Sequence, residues 1–156
     1  MNRIAVSVEE IPLPAWAGDL EAYALRVLDL LKKDNWDLSI LLCNNPVIRR
    51  LNAQYRNREE PTDILSFFLG ETLEEEGSIR YLPGDLVVSL ETLEENAGYF
   101  RVSEDEELRR LIIHGILHLD GMDHPGGSRG DQPMLALQER LLEELAGERI
   151  LPLESA

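Results

Sequence analysis

An α+β fold is what this chain of 156 residues predicts, and three observations carry that reading. Four short runs rich in β-branched and apolar residues are interspersed with about five segments of helical period. The apolar fraction of 44% and the charged fraction of 29% are those of ordinary globular chains, without the Pro/Gly excess that accompanies disorder. The length is that of one domain able to bury its own core, so residues 1–156 are expected to fold as a unit.

The elements follow in order. RIAVSVE has strand character from its β-branched residues, and LEAYALRVLDLLKK places Leu20, Tyr23, Ala24, Val27, Leu28 and Leu31 at helical spacing. WDLSILLCN is a second apolar strand. It holds Cys43, the only cysteine, which reads as a small core residue and leaves no internal disulfide, as suits a reducing compartment. NPVIRRLNAQYR reads as a helix capped by Asn45 with Pro46 at its first position. TDILSFFL is a third strand, whereas the acidic, glycine-bounded GETLEEEGSIRYLPG reads as a mobile loop or a hairpin arm. GDLVVSL is a fourth strand, followed by a helix over LETLEENAGYF. Ser103 and Glu106 form the S-x-x-E capping box of another helix, which should bury Leu108, Leu111, Ile112, Gly115, Ile116 and Leu119 and stop at Gly121. Beyond the glycine-rich PGGSRGDQP, MLALQERLLEEL supplies a last amphipathic helix and ILPLESA a tail. No run approaches the eighteen or so apolar residues of a membrane span, and the N-terminus lacks the apolar stretch of a secretory signal, so a cytoplasmic protein is expected.

The net charge of −15 repels a polyanionic partner at long range. Such a partner would need a local basic patch, and RRLNAQYRNR, with Arg49, Arg50, Arg56 and Arg58, is the candidate. The alternative reading of the same arginines is a solvated helix end.

All three histidines fall within HGILHLDGMDH, residues 114 to 124. His114 and His118 are four apart on a helix with signalled ends, so both rings project from one face, one turn apart. Gly121 then reverses the chain, which lets His124 approach the same point. HxxxHxxxxxH thus offers three imidazoles to a borderline-soft divalent metal, zinc foremost. A structural zinc site is closed by four protein groups, usually with thiols; three histidines and no available thiol favour an open, catalytic site. A lone histidine beside an apolar face is more often a hydrogen-bonded core residue. Three within eleven positions, with helical spacing and a glycine break, favour the metal. The zinc-protease pattern HExxH has a glutamate base where this chain has Gly115. Asp123 reads equally as a partner or proton acceptor beside His124 and as a turn residue capping local amides. Asp120 reads as solvated.

These residues resemble the HGxLHLxGxDH signature of the YbeY family, the bacterial endoribonucleases of ribosomal RNA maturation. LNAQYRNREEPTDILSF resembles that family's N-x-x-Y-R element and following strand, and GDLVVSLE its G-D strand, so the likeness runs in order over residues 52 to 124. The resemblance implies a compact α+β fold with a small mixed four-stranded sheet and about five helices. It also implies a metal on His114, His118 and His124, single-strand-specific cleavage of ribosomal RNA, and a role for Arg56 facing the metal cleft. A guanidinium there would meet the charge developing on a phosphodiester, and the arginine patch would answer the charge objection locally. Ser66 and Asp85 fall at strand positions of the family and read either as cleft-lining or as structural residues. Two rival functions share the same residues: a metalloprotease-like hydrolase, disfavoured by Gly115, and a non-catalytic ribosome-assembly factor with a structural metal. For the nuclease and for the assembly factor alike, the acidic surface suits a basic ribosomal protein or assembly partner.

Overall fold

A computed structural model describes the backbone of residues 1–122 and 128–153 and the side chains of residues 1–122 and 133–153. The elements run β1 (Arg3–Val8), α1 (Ala17–Leu30), β2 (Asp37–Cys43), α2 (Asn45–Arg56), β3 (Ile64–Glu75), β4 (Ser78–Ser89), α3 (Leu90–Phe100), α4 (Glu104–Leu119) and α5 (Ser128–Glu144). The four strands form one mixed sheet in the order β1-β2-β4-β3, in which β1, β2 and β4 are parallel and β3 is antiparallel to β4.

Helices cover both faces of this sheet, which is why Leu86, Val87 and Val88 read as an unbroken apolar run rather than an alternation. Leu86 and Val88 point into the main core with Leu38, Ile40 and Leu42, against α1 and α4. Val87 and Leu65 point to the opposite face, where Cys43 packs with Val47 and Ile48 of α2. Every residue of the anticipated α4 face is buried, and Ile113 and Leu117 are buried as well, because α4 lies between the sheet, α1, α3 and α5. Gly115 sits where α4 packs against the sheet: a Cβ there would lie 2.7 Å from Leu86 Cδ2 and 2.9 Å from Ile64 Cδ1.

Several local readings need correction. The cap of α2 is Asn44, whose side chain accepts from the Val47 N–H at 3.2 Å, not Asn45. Asn45 is already helical, and its side-chain oxygen instead accepts from Ser89 and Thr92, both at 2.6 Å, tying α2 to the start of α3. The acidic segment after the third strand is a hairpin arm. β3 and β4 pair out to Glu75 and Ser78, and Glu76 and Gly77 both take positive φ in the two-residue turn that suits strand twist. The last helix starts at Ser128, six residues before Met134, and contains Pro133. The C-terminal segment is no free tail, because Asp105 accepts the N–H groups of Ile150 and Leu151 at 2.7 and 2.9 Å and Ile150 is buried. The described residues contain no helix long and apolar enough to cross a membrane.

Candidate metal centre

Helix α4 starts as its sequence indicates, with Ser103 Oγ accepting from the Glu106 N–H at 3.0 Å. The reciprocal half of the capping box gives way to an ion pair, since the Glu106 carboxylate accepts from Arg110 at 3.2 Å. The helix ends in a Schellman arrangement: Met122 N–H bonds to the Leu117 carbonyl and Gly121 N–H to that of His118, each at 3.0 Å. Gly121 takes φ +88, which favours glycine, and it turns the chain two residues after α4 ends.

Between these ends the i, i+4 spacing brings His114 and His118 together. Their Nε2 atoms are 2.9 Å apart and their rings cross at 79°. Tetrahedral zinc with bonds of about 2.0–2.1 Å separates its ligand nitrogens by roughly 3.3 Å, so this pair approaches the spacing of two ligands of one ion. His124 and Asp123 lie outside the described residues. Among the described residues no cluster of three His, Cys, Asp or Glu side chains is arranged to hold a metal.

The two histidines line a cleft of about 650 Å³ together with Arg56, Arg58, Ser66 and Phe100. Arg56 reaches this cleft from the last turn of α2. Its Nη2 donates to the Ser66 carbonyl of β3, and its guanidinium lies 5.7 Å from the Phe67 ring centroid. These contacts aim a side chain that is otherwise exposed. The arginine patch divides: Arg56 and Arg58 border the cleft, whereas Arg50 is paired with Glu9 at 2.6 Å and Arg49 points to solvent. Ser66 lines the histidine cleft, but Asp85 does not. It opens on the α2 face of the sheet, in a separate depression with Ser39, Tyr55 and Phe67. Asp120 is not simply solvated, because Lys33 Nζ lies 2.8 Å from its carboxylate and 5.3 Å from the centroid of Trp36.

Other cleft residues were not singled out from sequence. Glu107 lies two turns before His114 on the same stripe of α4, a placement that helical period alone would have revealed. It is buried, and burial raises its carboxyl above the ordinary carboxylate range, with Arg110 acting in the opposite sense. Arg110 bridges to Glu139 of α5 at 3.1 Å and holds that carboxyl below its usual range. Gln138, also on α5, is buried and its Oε1 lies 2.7 Å from His114 Nδ1. Nothing in its residue type or spacing signals that contact.

The chain is similar to known proteins along most of its length. A family model described as Endoribonuclease YbeY matches residues 6–146. A Treponema pallidum protein of that name is 46% identical over 92% of this chain and 90% of its own length. Its Treponema denticola counterpart is 49% identical over 90% of this chain and 92% of its own. A solution structure of a Thermotoga maritima protein superposes with a TM-score of 0.65 at 31% identity, covering 93% of this chain and 90% of that one.

Proposed function

Since the chain belongs to the endoribonuclease YbeY family, we propose that it is a single-strand-specific endoribonuclease of ribosomal RNA maturation that works with one divalent cation, zinc foremost. Family membership supports the endoribonuclease role in ribosomal RNA processing. The observation that carries the site is the convergence of the His114 and His118 Nε2 atoms, 2.9 Å apart, in one cleft with Arg56.

His114, His118 and His124 would hold the cation, whose bound form supplies Lewis-acid activation of a phosphodiester. Arg56 grips the phosphate. One of its five N–H groups is committed to the Ser66 carbonyl, which leaves others to contact two phosphate oxygens and to meet the charge that develops as the bond breaks. Arg58 adds a second positive charge at the cleft, loosely balanced by Glu60 at 3.7 Å. Asp123 accepts a proton or orients His124. The chain's net charge of −15 keeps free RNA at a distance, so a basic ribosomal protein or assembly factor would bring the enzyme to its substrate. The protease alternative loses ground, because the helix position that would carry a glutamate base is packed against Leu86 and Ile64.

The test joins metal analysis of purified protein to cleavage of a structured ribosomal RNA fragment. His118→Ala should lose both metal and cleavage. Arg56→Ala should keep the metal and lose about 10²–10³ in kcat, the usual cost of removing one preorganised donor to a developing anion. Metal-free wild type that still cuts RNA would refute the cation; full activity in Arg56→Ala would refute the phosphate role. A 2′,3′-cyclic phosphate at the product end would assign attack to the ribose hydroxyl, and its absence would assign it to water.

A further inference from the structure

A chain of hydrogen bonds reaches His114 from behind, on the side away from His118. Nδ1 of His114 lies 2.7 Å from Oε1 of the buried Gln138. The Gln138 amide nitrogen donates to Glu139 Oε2 at 3.1 Å. Glu139 is gripped in turn by Arg110, whose Nε and Nη2 donate to its two oxygens at 3.1 and 3.2 Å. Arg110 also donates to Glu106 at 3.2 Å, so both ends of this chain are anchored on α4.

The order of donors and acceptors along it is forced. An ionised carboxylate only accepts, so the Gln138 amide must turn its NH₂ towards Glu139. Its oxygen then faces His114, and an amide oxygen cannot donate. The hydrogen at this contact must therefore sit on Nδ1 of the imidazole. A neutral histidine protonated on Nδ1 carries its lone pair on Nε2, the atom turned towards His118 at 2.9 Å. Without such a partner, neutral histidine in water favours the opposite tautomer, with the proton on the atom a cation needs.

We infer that Gln138 is a positioning residue: held by Glu139 and Arg110, it fixes His114 in the Nδ1–H tautomer and presents an unprotonated Nε2 to the divalent cation. The inference rests on the histidine site proposed above and assigns a role to a residue of α5 that neither spacing nor resemblance indicated. It also explains why an amide serves here, since only a group that both donates and accepts can join a carboxylate to an imidazole N–H.

The test uses full-length, ¹⁵N-histidine-labelled protein, freed of metal by chelation and held at a pH where imidazoles are neutral. Ring nitrogen shifts identify the tautomer directly. Wild type should show His114 protonated on Nδ1. Gln138→Met, similar in volume but without the acceptor, should populate the Nε2–H form and weaken Zn²⁺ binding 10–100-fold, the usual effect of losing a ligand's hydrogen-bond partner. Gln138→Glu combined with Glu139→Gln, which keeps an acceptor at Nδ1 and a donor beside it without setting two carboxylates against each other, should keep the tautomer and bind Zn²⁺ within a few-fold of wild type. That rescue separates positioning from mere packing. A wild-type His114 protonated on Nε2 would overturn the inference, as would Gln138→Met binding Zn²⁺ like wild type. If Gln138→Met does not fold, the wild-type spectrum and the Gln138→Glu, Glu139→Gln pair still decide. A wild type that takes up no Zn²⁺ defeats the cation reading, and the tautomer spectrum, recorded without metal, keeps that failure distinct.

Discussion

Replacing Gly115 by alanine sets two effects of opposite sign against each other. Within a helix, alanine is favoured over glycine by about 1 kcal/mol. The added Cβ, however, would stand 2.7 and 3.0 Å from the Leu86 Cδ atoms and 2.9 Å from Ile64 Cδ1. Leu86 is fully buried, so its methyl groups have no open space to swing into, and overpacking of such a core costs typically about 1–3 kcal/mol. The net expectation is a loss of about 0–2 kcal/mol, or roughly 2–4 °C in Tm per kcal/mol for a chain of this size. Urea unfolding of the metal-free protein measures it. Because the variant must push α4 away from the sheet, it should also weaken Zn²⁺ binding, read by titration on the same samples. A Gly115→Ala protein more stable than wild type by about 1 kcal/mol would show helix propensity acting alone. The claim that this glycine sets the helix-to-sheet spacing would then be wrong. Gly115→Glu completes an HExxH pattern in the sequence, yet it should yield an unfolded chain rather than a peptidase, since the side chain would enter the core.

Further outcomes follow from the same structure. Asp105 is buried and accepts from Arg109 at 2.9 Å as well as from the Ile150 and Leu151 amides. Asp105→Ala should cost about 3–5 kcal/mol, as removal of one member of a buried pair does, and should expose the C-terminal segment to proteolysis; a change under about 1 kcal/mol would contradict its role as anchor. The raised carboxyl of Glu107 means that the folded chain holds this proton more tightly than the unfolded one. Its contribution to stability is therefore complete below the ordinary carboxylate range and is lost as pH rises past it. Glu107→Gln should accordingly raise stability at neutral pH and flatten that slope in denaturation series across pH, whereas a destabilised variant with an unchanged slope would refute the assignment. Burial pushes the Cys43 thiol up to about 11, so thiol reagents should modify it at neutral pH only at the rate of global unfolding; rapid modification of the folded chain would refute its burial.

Much of this molecule is local and was legible as such. The strands, the five helices, the Ser103 cap, the Gly121 stop and the shared face of His114 and His118 all follow from side-chain period and from capping chemistry within a few residues. Where several local partners compete, sequence was ambiguous. Asn44 and Asn45 are both able caps, and the choice fell to Asn44 because Ser89 and Thr92, distant in sequence, engage Asn45. Tertiary packing alone decided what α5 and β3 bring to the site: Gln138 behind His114, the Ser66 carbonyl that aims Arg56, and the placement of Asp85 on the opposite face of the sheet. Periodicity states which way a side chain points from its own element. What it meets there depends on how whole elements pack, and that is set by the closeness of α4 to the sheet at Gly115 and by ion pairs such as Arg110 with Glu139.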